Sequence, residues 1–309
     1  MNSLDQLSEL SIARSWAAIG AFDGVHIGHQ SLFDRLVAGA HQAGCKAVVI
    51  TFEPLPALFF KRIVGMQVLT SWHERVALIN NFAVDQVIVL DFNASLAEVN
   101  ALPFMEKVKK AIGVERLIMG IDSALGKDQA SSTTGLKEIG RQLGFSVDVI
   151  PPVRNQQEVV SSSNIRKLLK SGNIIRANEF LGRPYTVSGK VVHGENRGHK
   201  LGIPTANLSI PDEKMLPANG VYATRAHVDG ETYLAVTNIG VRPTFENPLP
   251  VPRVEPHLLD TDKMFYDRLI ELEFVAYLRP EMRFPDASLL VAQIHKDIAT
   301  AREILKDES

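Results

Sequence analysis

The chain has 309 residues, 45% of them hydrophobic and 22% charged, with a formal net charge of −2. It is long enough for two ordinary domains and too near neutrality for the broad basic field of a nucleic-acid or anionic-membrane binder. Cys45, the one cysteine, excludes an internal disulfide framework; with no signal-peptide pattern at the start and no apolar run of membrane-spanning length, a cytoplasmic setting is expected.

The first half alternates two periodicities. Trp16–Phe22 is a short apolar run, and Leu32, Phe33, Leu36, Val37 and Ala40 then recur at helical spacing up to Gly44. Ala47–Phe52 reads as a second buried strand, Glu74–Phe82 as a helix and Gln86–Leu90 as a third strand. Phe104–Ala111 is a helix pattern, a fourth strand begins over Arg116–Met119, Leu136–Leu143 is helical, and Phe145–Ile150 is the fifth strand. Such alternation predicts a parallel sheet covered on both faces, with ligands beyond the carboxyl ends of the strands.

The pattern changes after Gly182-Arg183-Pro184. Strand-like segments near Thr186–Val192, Gly220–Val228, Thr232–Ile239 and Ile270–Leu278, separated by Gly and Pro, predict a small antiparallel barrel. Ala287–Leu305 closes the chain as an amphipathic helix. The boundary is expected between Ala177 and Tyr185, dividing the chain into residues 1–182 and 183–309 with a helical linker.

Three segments carry candidate chemistry. Gly20-Ala21-Phe22-Asp23-Gly24-Val25-His26-Ile27-Gly28-His29 lies between the first strand and first helix. A Gly-rich turn at a helix N-terminus offers N–H groups and the positive end of the helix dipole to a phosphate. His26 and His29 can both reach that phosphate and donate to oxygens that gain charge in an in-line displacement. The plainer alternative is a tight turn with a capping histidine, and a zinc site lacks a third ligand nearby. Next, Ser161, Ser162, Ser163 and Arg166 stand at a helix start, an arrangement that reads as a serine N-cap or as a further phosphate grip.

The third segment, Gly189 to Leu208, begins as a strand and breaks into a loop with Gly194, Gly198 and Gly202 that carries Arg197, His199 and Lys200. It ends in Pro204, Thr205, Ala206 and Asn207. Glycines admit close approach to an anion, and the hydroxyl of Thr205 and the amide of Asn207 can point at one Mg²⁺–phosphate group. The alternative is a Gly-rich hairpin connection with solvated charges. A kinase also needs a carboxylate to orient the attacking hydroxyl, for which Glu255, in the otherwise strand-like run Arg253–Asp260, and Glu271 and Glu273 are all available.

Gly189–Leu208 resembles the signature of the riboflavin kinase family, and Gly20–His29 that of the nucleotidyltransferase superfamily. End to end, the chain is similar to the bacterial bifunctional riboflavin kinase/FMN adenylyltransferase (FAD synthetase) family. The resemblance implies an α/β fold: a Rossmann-like nucleotidyltransferase domain with a parallel sheet over residues 1–182, then a small antiparallel β-barrel riboflavin kinase domain with a terminal helix over 183–309. It implies riboflavin, FMN and ATP as the molecules acted on and Mg²⁺ as the metal, held by Thr205 and Asn207. Nucleotide would be bound by Gly20, Phe22, Asp23, Gly24, Gly28, Ser162, Ser163 and Arg166 in the first domain, with His26 and His29 steadying adenylyl transfer. In the second, Gly194, Arg197, Gly198, Gly202, Pro204, Thr205 and Asn207 would bind nucleotide, and Glu255 would act as base. Asp122, Asn238 and Arg242 would contact flavin, and Arg279 matches a further family position with a supporting role.

The chain departs from the family at Leu55, where a histidine is usual, at Ser123 and Leu125, where phenylalanines are usual, and at Ser131-Ser132, in place of Gly-Asp. Ser163 replaces a threonine and keeps the hydroxyl. Aromatic faces suit an isoalloxazine ring better than serine and leucine do. Two rival readings therefore stand beside the bifunctional one: riboflavin kinase alone, with a weak or altered adenylyltransferase domain, and a flavin- or nucleotide-binding regulator without turnover.

Overall fold

The computed structural model describes residues 3–60, 68–121, 125–126, 132–194, 202–241 and 252–306. Its contacts divide the chain into two units, Met1–Ser162 and Ser163–Ser309.

The first unit opens with α1 (Ser3–Ser8), β1 (Ser15–Ile19), α2 (Ile27–Gln42) and β2 (Lys46–Glu53), followed by α3 (Pro56–Phe59), α4 (Trp72–Asn80) and β3 (Gln86–Asp91). It continues through α5 (Ala94–Ala97), α6 (Ala101–Ile112), β4 (Val114–Gly120), α7 (Thr133–Leu143) and β5 (Ser146–Ile150), and ends in the small hairpin β6 (Arg154–Asn155) and β7 (Glu158–Val159). The large sheet runs β3-β2-β1-β4-β5 and its pairings are all parallel. Its central strands are mostly apolar on both faces because helices cover both, with the polar residues mainly toward the strand ends. Ala17, Ile19, Val48, Ile50, Leu117 and Met119 point into the core under α1, α6 and α7. The alternate residues Ala18, Ala47, Val49 and Ile118 point into the core under α2. The strand order reverses between β1 and β4, which puts a crevice at the carboxyl end of β1, where the Gly20–His29 turn lies.

Helix α8 (Ser162–Lys170) leads into α9 (Ile174–Leu181) and then the barrel strands β8 (Tyr185–Val192), β9 (Asn207–Ser209), β10 (Gly220–Val228), β11 (Glu231–Val241), β12 (Pro252–Leu258) and β13 (Leu269–Arg279). The barrel is closed in the order β10-β11-β12-β9-β8-β13, antiparallel at every seam. Asn178 of α9 ties that helix to the barrel: its amide donates to the Phe274 carbonyl at 2.8 Å, and its side-chain oxygen accepts the Tyr185 N–H at 2.8 Å. Helix α10 (Ala287–Lys306) lays Ala301 and Leu305 on Val221, Ala223, Val236, Val275 and Ala276. One barrel strand, β9, was absent from the expected set, and the strand-like run around Glu255 forms β12. β9 is only three residues long, and β12 carries Pro252 and Pro256, residues that argue against a strand interior.

Candidate active sites

The turn after β1 is held in an unusual conformation. Phe22, Gly24 and Val25 have φ of 48°, 82° and 41°. Left-handed backbone costs a phenylalanine or a valine about 1–2 kcal/mol, so neighbouring contacts must enforce it. They do. The Phe22 ring meets Phe33 at 5.0 Å and the edge of His29 at 5.3 Å, and Val25 is buried. Asp23 is 3% exposed. Its carboxylate accepts the N–H of Leu69 at 3.0 Å, the N–H of Thr70 at 3.1 Å and the Thr70 hydroxyl at 3.3 Å. The same hydroxyl accepts the Gly24 N–H at 3.0 Å.

His26 is the N-cap of α2: its Nδ1 accepts the His29 N–H at 3.3 Å. The two imidazoles stack at 3.6 Å between centroids, 19° apart. The capping alternative is therefore real but occupies only Nδ1, which puts the proton of a neutral His26 on Nε2. A side chain on Gly28 would meet the His26 ring at 3.1 Å, and one on Gly20 would meet the Phe22 ring at 3.0 Å. The His29 ring is half-buried, with Nδ1 enclosed and no hydrogen-bond partner for it among the described residues. Burial, and then the neighbouring His26, hold His29 well below the usual imidazole range, so it is neutral at pH 7. Ser162 donates its hydroxyl to the Asp23 carbonyl at 2.8 Å, and Ser163 and Arg166 follow on α8, within the second unit.

Sequence reasoning missed Leu69, Thr70 and Arg75. The signal available was the capping box of α4, in which Ser71 and Glu74 cap each other, because it fixes the segment just before the helix. Arg75 is fully buried. Its Nη2 donates to the Phe52 carbonyl at 2.7 Å and to Glu53 at 3.1 Å, while Nε and Nη1 have no partner among the described residues. Burial lowers its pKa against the opposing charges of Asp23 and Glu53.

Leu55 and Leu125 are both buried, Leu125 within the sheet core, and Ser132 caps α7. Exposed aromatic surface stands instead after β2, where Phe59 and Phe60 pack on each other and on the buried Phe92 with ring centroids 5.4–5.7 Å apart. Asp122, Ser123 and Ser131 fall outside the described residues, as do Arg197, Gly198, His199, Lys200 and Arg242.

The second unit contains a cavity of about 280 Å³. Thr205, Asn238, Glu255 and His257 form a polar wall, and Met282, Phe284, Leu290 and Ile294 an apolar one. Asn238 and Glu255 are direct cross-strand partners on β11 and β12. The Pro204–Asn207 run is pinned to the strand that carries Glu255: Ala206 N–H donates to the Pro256 carbonyl at 2.9 Å, and His257 Nδ1 donates to the Pro204 carbonyl at 2.6 Å. Gly202 precedes this run, and Pro204 and Thr205 are exposed. Asn207 heads β9 outside the cavity lining, against Gly194, where any Cβ would come within 2.1 Å of its amide nitrogen. Glu271 accepts from Ser188 and Glu273 lies 3.2 Å from His227, so of the three candidate glutamates only Glu255 lines the cavity. Arg279 also lines it, paired with Asp297, a residue that sequence reasoning missed.

Comparisons with known proteins follow the same division. The family model described as FAD synthetase matches residues 9–164, and that described as riboflavin kinase matches residues 181–305. The bifunctional riboflavin kinase/FMN adenylyltransferase of Pseudomonas fluorescens is 35% identical over 93% of this chain and 92% of its own length. That of Listeria monocytogenes is 32% identical over 91% and 89%. A solved structure described as a macrolide-efflux protein from Streptococcus pneumoniae has a TM-score of 0.88 at 28% identity, covering 96% of each chain. Among the described residues, no helix is long and apolar enough to cross a membrane. With both domain types present and relatives matched over nearly their whole length, the chain belongs to the bifunctional riboflavin kinase/FMN adenylyltransferase family.

Proposed function

We propose that this chain phosphorylates riboflavin to FMN in residues 183–309 and adenylylates FMN to FAD in residues 1–182. The observation that carries the kinase half is the cavity that gathers Glu255, Asn238 and Thr205 with the apolar Met282, Phe284, Leu290 and Ile294. Matching of both family models and of full-length bifunctional relatives favours two activities over a kinase alone.

In the kinase half, the Glu255 carboxylate accepts the proton of the riboflavin 5′-hydroxyl as its oxygen attacks the γ-phosphorus of ATP, and ADP departs. Gly194, Arg197, Gly198, Gly202 and Pro204 shape the nucleotide cradle. Asn238 and Arg242 fix the flavin side, with Met282 and Phe284 against the ring. The Thr205 hydroxyl and the Asn207 carboxamide are hard oxygen donors suited to Mg²⁺, and the close approach of Gly194 fills the space beside that carboxamide. Bound there, Mg²⁺ supplies neutralisation of phosphate charge.

In the adenylyltransferase half, an FMN phosphate oxygen attacks the α-phosphorus of ATP and pyrophosphate leaves. His26 and the neutral His29 donate hydrogen bonds to the phosphoryl oxygens, a role that needs one N–H each and no net charge. Gly20, Phe22, Asp23, Gly24 and Gly28 hold the turn open to the nucleotide, and Ser162, Ser163 and Arg166 grip the outer phosphates. Asp122 contacts the flavin, whose ring finds aromatic faces at Phe59 and Phe60 in place of those missing at Ser123 and Leu125.

The test is a time course with purified protein, riboflavin, ATP and Mg²⁺, resolving FMN and FAD by chromatography. FMN followed by FAD is expected. Glu255→Ala should abolish FMN formation yet still convert supplied FMN to FAD. FMN accumulating without FAD would restore the kinase-only reading, and no FMN at all would overturn the assignment.

A further inference from the structure

The apolar side of the cavity in the second unit is held by one buried ion pair. Asp297 of α10 is 5% exposed, and Arg279 ends β13. Arg279 Nε donates to both Asp297 oxygens at 3.0 Å, and Nη2 donates to Oδ2 at 2.8 Å. Gln293, one helical turn before Asp297, donates its amide to Oδ1 at 2.9 Å. The guanidinium also engages the irregular strap between β13 and α10: Nη1 donates to the Pro280 carbonyl at 3.0 Å, and Cζ lies 5.9 Å from the Phe284 ring centroid. One cation thus joins the strand end, the strap and the terminal helix. Arg279, Asp297 and Phe284 line the cavity, together with Leu290 and Ile294 of α10. A bidentate guanidinium–carboxylate pair removed from water is directional and hard to rearrange.

We propose that Asp297 is a positioning residue for riboflavin phosphorylation: acting through Arg279, it fixes the strap and the inner face of α10 as the surface that seats the flavin ring. The inference rests on the assignment of riboflavin phosphorylation to this cavity. Seating the ring sets where the attacking hydroxyl lies relative to Glu255. Asp297 therefore governs flavin engagement and leaves unaffected the Pro204–Asn207 nucleotide cradle, which borders the same cavity but is anchored to β12 through Pro256 and His257.

The measurement is steady-state FMN formation by the full chain, varying riboflavin and ATP separately, with conversion of supplied FMN to FAD as an internal control for folding. Asp297→Asn preserves side-chain size and removes the charge. It should raise KM for riboflavin about tenfold while KM for ATP stays constant. Asp297→Glu, which restores the carboxylate, should recover part of the loss. Gln293→Ala loosens the same carboxylate without stranding a charge and keeps the test decisive if Asp297→Asn folds poorly; it should raise KM for riboflavin about two- to threefold. Unchanged KM values, or riboflavin and ATP KM rising together in the variants that fold, would overturn the proposal. A wild-type chain that makes no FMN would overturn the functional assignment instead.

Discussion

His29 illustrates how one side chain can be tuned for hydrogen bonding and kept from becoming a cation. The unfolded chain binds a proton at this imidazole near pH 6.5, whereas the folded chain, with its pKa held well below that, resists protonation. Acid therefore favours the unfolded state below about pH 6.5. His29→Gln should flatten the fall in stability between about pH 6.5 and pH 5, seen in urea midpoints across that range. His29→Ala should cut FAD formation from FMN about a hundredfold and leave FMN formation from riboflavin intact. Arg75 is the complementary case, a buried cation whose Nε and Nη1 have no partner among the described residues, with the charge of Asp23 nearby. Lysine cannot reproduce its fork, so Arg75→Lys should cost about 1–3 kcal/mol in urea unfolding and should lower FAD formation more than FMN formation.

At the scale of elements, Asp85 fastens the start of β3 to its neighbours. It accepts from the Lys46 ammonium at 2.8 Å, the Ala47 N–H at 2.8 Å and His41 at 2.9 Å. Burial alone would raise its pKa, but these donors outweigh that and hold it at about 2. The folded carboxyl thus keeps its charge where the unfolded one, near pH 3.9, takes a proton. Its stabilisation is present above that pH and is lost as pH falls toward 2. Asp85→Asn should destabilise the protein at pH 7 and lose its effect near pH 2, as chemical denaturation at both pH values would show. The parallel strands were legible in the sequence because burial on both faces leaves continuous apolar runs such as Ala47–Phe52. β9 was not, since three residues carry no such run, whereas β12 read as strand-like despite Pro256. The clamp on Asp23 was hidden for another reason: it uses backbone N–H groups 46 and 47 positions away, which leave no side-chain signature. Asp297 reads in sequence as part of the polar face of an amphipathic helix, and only the arrival of Arg279 from β13 shows otherwise.

For the whole molecule, the histidine pair belongs to one unit and Glu255 to the other. A mixture of Glu255→Ala and His29→Ala chains should therefore make FAD from riboflavin, because FMN released by one chain can be taken up by the other. Chromatography of the mixture against each variant alone checks this. A mixture that makes FMN but no more FAD than the His29→Ala chain alone would show that FMN is not exchanged between molecules.

The shortness of β9 has a mechanical consequence. Three residues seal the barrel between β8 and β12, and the first of them is Asn207. A molecule that grips Asn207 grips the barrel at this short seam, so nucleotide bound there as proposed would be a latch as well as a reactant. If the open seam cannot bind nucleotide, amide exchange at Leu208 and Val254, register partners across β9 and β12, should slow about a hundredfold when an unreactive ATP analogue is present at a hundred times its Kd. The barrel would then breathe between turnovers and hold shut during them.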